Sequence, residues 1–437
     1  MADLALDPNL NGRISLYDID HHAAEMNETL GNWLGAHPKA RSSWQYNAVE
    51  TLPQALQDAD FVIISIQPGS FELMAHEIDV AEKYGMYFPV GDTTGVPGLM
   101  RGLRSAITFA GFAREIATHC PEAWVINYTN PMTICTRTLT KVEPSLKVFG
   151  CCHEVFGTQN ILAELAQSYL DLPYKPSREE IRINVFGINH FTWIDSATYK
   201  ELNLLKLLHN HIQEPGVLRP YTREEIEDKK DYFYDARQIK FELFKRYGIL
   251  AAAGDRHLAE FVPGLTISPE ELFRRGVIRT PVSYRIEKWD RIGKQVPKII
   301  EGQIPFELKQ SDEEAILQIK ALLGLGDLTT NVNKKNIGQV SNLPLDVVVE
   351  TNARFSRDRV DPISAGALPL GVEALVSTHV KNQEMIVEAA LTRDEGLAFQ
   401  AIFNDPCTMI TIDKAWTMFQ EIGLPENFNE LSPQKVF

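Results

Sequence analysis

The chain has 437 residues, of which 44% are hydrophobic and 23% charged, a mixture typical of a globular protein large enough for two packed domains. With 58 acidic and 43 basic residues its net charge is −15, so we expect neither nucleic acid nor a membrane as a partner. Its five cysteines are an odd number without a secretory signal, which predicts reduced thiols and a cytoplasmic protein.

The first half alternates short apolar runs with longer segments of helical spacing. The runs at 13–18, 61–66, 124–129 and 146–152 predict buried strands, and the segments at 21–34, 71–84, 99–118 and 131–142 predict helices. This alternation is typical of an α/β fold with a Rossmann-like parallel sheet, in which ligands gather at the carboxyl ends of the strands. A further strand is predicted at 181–191.

The second half has a different pattern. Residues 200–310 are charged and mostly helical in spacing, a Gly/Asn-rich stretch at 323–344 interrupts them, and a helical C-terminus is predicted to follow. We therefore predict a dinucleotide-binding domain at 1–185 and, at 186–437, an α+β domain for metal and substrate binding and for oligomerisation.

The nucleotide-binding features begin at the first predicted strand, which ends in the acidic sequence LYDID. Asp18 occupies the place where a carboxylate binds the adenosine ribose, and Ser65 and Gln67 follow the strand at 61–66. The glycine-rich turn G-x-G-x-x-G that should precede Asp18 by about 20 residues is absent from the sequence. We expect a truncated domain that lacks its first strand and phosphate-binding turn; alternatively, LYDID is only a strand that ends at a turn.

Three polar clusters fall at predicted strand ends. Asn130 lies in NYTNP, Cys152 in GCCHE, and Asn189 and His190 in GINH. An amide can bond a sugar hydroxyl, while a thiolate–imidazole pair suits Zn²⁺ or Fe²⁺ and takes Mn²⁺ when sugar oxygens complete the site. Alternatively, the adjacent cysteines are small buried apolar residues.

Two further clusters carry charged groups. Residues 254–260 read GDRHLAE, with four ionisable side chains after an apolar run; the alternative is a solvated helix start. Residues 91–98 read GDTTGVPG and precede Arg101 and Arg104, which could bind a carboxylate or phosphate. A surface loop followed by a charged helix face is the alternative.

These motifs, in this order, resemble glycoside hydrolase family 4, the NAD-dependent exception among glycosidases. The match covers the chain from about residue 13 onward and is most similar to the α-galacturonidase subgroup. The resemblance implies a second domain of the lactate/malate dehydrogenase type. It also implies oxidation of sugar carbon 3 by NAD, Mn²⁺-assisted enolate formation and elimination, then addition of water and re-reduction.

The resemblance also implies roles for individual residues. Cys152 and His190 would bind the metal, Asn130 and Asn189 the sugar, and Asp18 the cofactor. Asp255 would be the base, with His257 or Glu260 able to share that role. His153 would protonate the leaving group or bind the sugar. A uronate carboxylate would need an arginine, with Arg101, Arg104 and Arg256 as candidates.

The leading hypothesis is an α-galacturonidase that acts on small uronides as a homodimer or homotetramer. An α-galactosidase or α-glucosidase of the same family is the nearest alternative. A hydroxy-acid dehydrogenase is another, and it predicts net NADH accumulation. The third alternative is a non-catalytic sugar-binding protein, a relic of the enzyme in which NAD binding is impaired.

Overall fold

A computed structural model describes residues 1–311 and 313–429. Its strands are β1 (Gly12–Leu16), β2 (Trp44–Ala48), β3 (Phe61–Ile64), β4 (Trp124–Asn127), β5 (Lys147–Gly150), β6 (Ile181–Ile188), β7 (Phe191–Tyr199), β8 (Leu202–Asn203), β9 (Leu250–Ala251), β10 (Leu328–Lys335), β11 (Val348–Ser356) and β12 (Arg359–Pro362).

The α-helices are α1 (Ala2–Leu6), α2 (His21–Gly35), α3 (Leu52–Leu56), α4 (Phe71–Lys83), α5 (Gly95–His119), α6 (Met132–Val142), α7 (Glu154–Leu170), α8 (Leu204–His211), α9 (Arg223–Glu227), α10 (Gln238–Tyr247), α11 (Asp255–Phe261), α12 (Pro269–Arg274), α13 (Val282–Ile300), α14 (Ala315–Leu322), α15 (Leu370–Thr392), α16 (Glu395–Phe403) and α17 (Ile412–Ile422). No helix in the described ranges is long and apolar enough to cross a membrane.

The parallel strands of the first half confirm the predicted α/β fold. Strand β3 pairs in parallel with β4, and β4 with β5, while β1 and β2 form a separate parallel pair. All four residues of β4 are buried, because helices cover both faces of a parallel sheet of this kind.

Helix α5 is the central element of the core. It begins four residues before the predicted 99–118 helix, and most of its 25 residues are buried. A Cβ on Gly95 would lie 2.1 Å from Phe88 Cε1, and one on Gly98 would lie 2.6 Å from the backbone of Thr93. These glycines therefore let the start of α5 pack directly against the segment at 88–94.

Three strands of the second half, which was predicted to be α+β, lie within and after the Gly/Asn-rich stretch, where no individual strand was predicted. Strand β10 lies inside the Gly/Asn-rich stretch, and β11 and β12 follow it in antiparallel pairing. Asn333 of β10 pairs with Gly150 of β5, so these strands extend the sheet of the first half. These strands were not predicted because polar strand residues such as Asn331 and Asn333 face a buried polar site and do not show an apolar pattern.

The predicted strand at 181–191 is in fact a hairpin. Strands β6 and β7 pair antiparallel from Ile181 opposite Tyr199 to Ile188 opposite Phe191, leaving Asn189 and His190 at the turn. The strands are largely buried, and their register places the turn inside the protein. This hairpin positions one side of the site described next.

Candidate functional site

The site is built around the buried turn of the β6–β7 hairpin. Asn189 is fully buried, His190 is 3% exposed, and His190 has a left-handed backbone with φ of 62°. A non-glycine residue in this conformation costs about 1 kcal/mol or more. Two buried polar side chains on a strained turn indicate a site whose geometry matters more than local stability.

Three potential metal ligands converge at this turn. One ligand atom from each of Asp92, His190 and His257 lies within 4.8 Å of the others. The two imidazole rings have centroids 3.9 Å apart. Two imidazoles and one carboxylate are a ligand set that suits Fe²⁺ and related divalent ions, with positions left for other oxygens.

The loop that carries Asp92 is held by buried hydrogen bonds. The backbone N–H groups of Val90 and Gly91 donate to Glu260 Oε1 at 2.7 and 2.8 Å. Thr93 Oγ1 donates to Asp92 Oδ1 at 2.9 Å and lies 2.7 Å from His190 Nδ1. Thr93 therefore holds the carboxylate and the imidazole in a common arrangement.

His257 is oriented by Glu154. Its Nε2 lies 3.3 Å from Glu154 Oε1, while its Nδ1 is buried and has no hydrogen-bond partner in the described part of the chain. Glu154 also accepts from Gly254 N at 3.0 Å. Burial opposes ionisation of Glu154, but attraction from His257 outweighs it and holds the pKa of Glu154 well below its usual range. The free nitrogen can therefore bind a metal ion or a proton.

Burial and neighbouring charges set the ionisation of the cluster. Burial, followed by the nearby His257, lowers the pKa of His190 to about 3. Burial opposes ionisation of Asp92, yet His257 and Arg285 together hold its pKa below the ordinary value. At neutral pH the cluster thus presents a neutral His190 imidazole beside an ionised carboxylate, as metal binding requires.

Cys152 belongs to an adjacent polar network. Asn331 donates to the backbone oxygen of Cys152 at 3.2 Å and to Glu350, and Asn189 donates to the other Glu350 oxygen at 3.3 Å. Burial, then Glu350 and Glu154, raises the pKa of the Cys152 thiol well above its usual range. Burial also raises the pKa of Glu350 to about 7.

The polar groups after β3 and β4 are joined by one buried arginine. Arg101 donates to the Asn130 backbone oxygen and to Gln67 Oε1, each at 3.0 Å. Asn130 Oδ1 and Gln67 Nε2 are buried and lack a partner among the described residues. Both side chains therefore keep a hydrogen-bonding atom available for a ligand.

Two family models match the chain. One, described as family 4 glycosyl hydrolase, matches residues 1–168, and its C-terminal domain model matches residues 185–408. This chain belongs to glycosyl hydrolase family 4.

Relatives of this family 4 protein include an alpha-galacturonidase from Thermoanaerobacter italicus. It is 48% identical over 429 residues, which cover 97% of this chain and 92% of the relative. The crystal structure of a Bacillus subtilis protein described as the glucosidase lplD is 46% identical, with a TM-score of 0.89, covering 96% of this chain and 95% of that one.

A more distant structure shares the fold. It is a 6-phospho-alpha-glucosidase from gut microorganisms in complex with NAD and Mn²⁺, 18% identical, with a TM-score of 0.74 and coverage of 94% of this chain and 90% of that one.

Of the two predicted metal ligands in this family 4 protein, the structure places one in the convergent group. His190 lies in the group with Asp92 and His257. Cys152 lies outside that group of three, in the neighbouring network with Glu350 and Asn189. Asn189 and Asn130, predicted to bind the sugar, both offer an Oδ1 that is buried without a partner in the described ranges.

Of the predicted acid–base residues His257, His153 and Asp255, one lies in the cluster and two lie outside it. His257 is in the cluster, whereas His153 is largely exposed and its Nδ1 lies 3.0 Å from Glu313. Asp255 is 1% exposed, and its two oxygens accept from the N–H groups of Ile239 and Lys240 at the start of α10. Burial and the nearby Asp235 raise the pKa of Asp255.

The predicted cofactor residues lie beyond the first strands. Asp18 is exposed after β1 and accepts from Asp20 N at 2.8 Å, while Ser65 is exposed directly after β3. Gln67 is partly buried and is held by Arg101.

The candidate arginines differ in whether a carboxylate already balances their charge. Arg104 is buried in an ion pair with Glu77 at 2.7 Å, so its charge is already balanced. Arg256 instead lies 4.3 Å from the Phe233 ring and 3.5 Å from Thr280 Oγ1, with no carboxylate paired to it within the described residues.

Sequence reasoning missed Asp92, Glu154 and Glu350. Asp92 and Glu154 stand inside the motifs GDTTGVPG and GCCHEVFG, so their positions were a usable signal. Glu350 lies in an apolar strand, VVVE, and a lone carboxyl in such a run was the only sign of it.

Proposed function

We propose that this family 4 protein hydrolyses α-galacturonides with NAD and Mn²⁺, through oxidation and re-reduction of the sugar. The proposal rests most on one observation: a His–His–Asp cluster lies close to Arg256, which has no carboxylate partner among the described residues. The 48% identical relative named alpha-galacturonidase supports this choice of substrate.

The cluster fits a divalent ion. Asp92, His190 and His257 supply one carboxylate and two imidazoles, and the Nδ1 of buried His257, which has no partner among the described residues, needs a cation or a proton. We retain Cys152 as a proposed further ligand, since a bound cation would be required to stabilise its thiolate. The sugar hydroxyls would fill the remaining positions.

Fewer residues support NAD binding than support metal binding. Asp18 offers an exposed carboxylate to the ribose, Ser65 a hydroxyl, and Gln67 an unpartnered amide nitrogen, all beyond the ends of strands β1 and β3. When bound, NAD supplies a hydride acceptor and donor and Mn²⁺ supplies a Lewis acid.

The protein's own residues would orient the sugar and move the protons. Asn130 Oδ1 and Asn189 Oδ1 would accept from sugar hydroxyls, since each is buried and otherwise unpartnered in the described chain. Glu260 also has one unpartnered oxygen, and burial followed by the charge of Asp92 raises its pKa to about 7. A carboxyl that titrates near neutral pH suits proton transfer at the sugar. Asp255 and His153 remain predicted catalytic residues.

The test is the hydrolysis of 4-nitrophenyl α-galacturonide compared with the matching neutral α-galactoside and α-glucoside, with NAD⁺, Mn²⁺ and thiol present. We expect the uronide to be cleaved preferentially without net NADH at 340 nm. Preferential cleavage of a neutral sugar would favour the second candidate, a neutral α-glycosidase, which the 46% identical structure described as a glucosidase supports. Net NADH would indicate a dehydrogenase instead.

Cofactor and assembly need their own measurements. Calorimetry with NAD⁺ should show binding, and its absence would favour a sugar-binding relic. We also propose a cytoplasmic homodimer or homotetramer, which fits five unpaired cysteines and exposed apolar residues such as Trp289, Leu345 and Leu370. Light scattering would detect a monomer, which would contradict this assembly.

A further inference from the structure

A second arginine from the other half of the chain reaches the site. Arg285 lies on α13, and its guanidinium donates to the Val90 backbone oxygen at 3.2 Å, two residues before Asp92. Its Nε is buried with no hydrogen-bond partner in the described ranges. An arginine normally uses its five N–H groups in a fixed fork, so an unpartnered buried Nε leaves a donor for a ligand.

Arg285 and Arg256 repel each other across the same region. Both guanidinium groups carry a positive charge, and each is close enough to Asp92 and to the other to interact electrostatically. Neither arginine forms an ion pair with a carboxylate within residues 1–311 and 313–429. An anion placed between the two guanidinium groups would remove this repulsion and satisfy the unused donors.

The surroundings favour a sugar carboxylate as that anion. Arg256 lies 4.3 Å from the Phe233 ring, whose other neighbours include Tyr284, the residue beside Arg285 on α13. Asp92 attracts both arginines and is itself within 4.8 Å of the His190 and His257 ligand atoms. A sugar bound at the cluster would thus be within reach of the arginine pair.

We infer that Arg285 and Arg256 together form the subsite for the substrate's uronate carboxylate, with Arg285 a specificity-determining residue. This inference rests on the proposed uronide hydrolysis. The Nε–H of Arg285 would donate to the carboxylate while its Nη2 stays hydrogen-bonded to the Val90 backbone oxygen. We do not assign Arg104 to this role because Glu77 already balances its charge, nor Arg101 because its Nε and Nη2 donate to Asn130 and Gln67.

The test compares Arg285→Gln and Arg285→Lys with wild-type protein on 4-nitrophenyl α-galacturonide and α-galactoside. Arg291→Gln is the matched control, since Arg291 is an exposed residue six positions further along α13. For Arg285→Gln we expect kcat/KM on the uronide to fall about 10- to 100-fold, mainly through KM, with the galactoside little changed. Arg285→Lys should recover part of the loss, because lysine keeps the charge without the fork.

A second readout does not depend on turnover. Calorimetry in the presence of Mn²⁺ should show that wild-type protein binds galacturonate more tightly than galactose, and that Arg285→Gln loses this difference. If both substrates are affected equally, Arg285 has only a structural role and the inference is wrong. A wild-type protein that prefers the neutral sugar in both assays would contradict the proposed function as well, whereas an Arg285→Gln variant that keeps the uronide preference would contradict only the assignment of Arg285.

Discussion

Glu260 provides a direct test of the electrostatics of the site. Its Oε1 accepts from Val90 N and Gly91 N, and its Oε2 is buried without a partner in the described residues. Replacing it with glutamine keeps a carbonyl oxygen for both backbone donors and removes the ionisable group. The substitution therefore measures the free energy of burying the Glu260 charge, while the two hydrogen bonds from Val90 and Gly91 are kept.

The size of the expected change in folding free energy follows from the pKa of Glu260. Burial, followed by repulsion from Asp92, raises the pKa of Glu260 from 4.5 to about 7. Below the lower value the carboxyl is neutral in both folded and unfolded protein, so it carries no penalty. Between the two values the unfolded state ionises while the folded state stays neutral, so the stability of the fold falls by about 1.4 kcal/mol for each pH unit, about 3 kcal/mol in all.

The Glu260→Gln variant should not lose this stability as pH rises, because glutamine does not ionise. We expect the free energy of unfolding of the variant, relative to wild type, to increase by about 2 to 3 kcal/mol between pH 5 and pH 8. Urea unfolding of metal-free protein at several pH values measures this difference, and other titrating groups common to both proteins cancel. Exposed Glu270→Gln is the control and should show no such trend.

A constant difference between Glu260→Gln and wild type across this pH range would refute the reasoning. It would mean that the carboxyl ionises normally, either because water reaches it or because the arginines balance its charge. Glu260→Ala should instead destabilise the protein at every pH, since two buried N–H groups then lose their acceptor.

Three further substitutions test other parts of the site. His257→Ala should weaken Mn²⁺ binding at least about tenfold, measured by electron paramagnetic resonance on chelated protein titrated with the ion, and unchanged affinity would exclude it as a ligand. Gly95→Ala should cost more than about 2 kcal/mol in urea unfolding, because φ is 67° and its Cβ would lie 2.1 Å from Phe88; normal stability would show that the helix start can shift. Glu77→Gln leaves buried Arg104 without its counter-charge and should cost about 3 to 5 kcal/mol, whereas a loss below 1 kcal/mol would show that water reaches the guanidinium.

Local sequence patterns predicted the first half of the fold well. The strands β1, β3, β4 and β5 and the helices α2, α4, α5 and α6 lie at their predicted places, because their apolar residues face a core on one or both sides. Strand β2 was missed because Trp44–Ala48 is short and alternates weakly. Strands β10 and β11 were misjudged because several of their buried side chains are polar and bond to one another across the sheet.

The sequence alone determined the family and the order of the chemical motifs, and it predicted His190, His257 and Asn130 as residues of the site. Only the tertiary structure decided which of these residues meet. Asp92 and His190 are 98 residues apart in the chain, and Arg285 reaches the Val90 backbone, two residues before Asp92, from a helix in which the sequence showed no motif. Periodicity and motifs indicate the local backbone conformation and which side chains are buried. Whether ligands meet and charges balance depends instead on the distances between segments, and those distances are determined only when the chain packs into its fold.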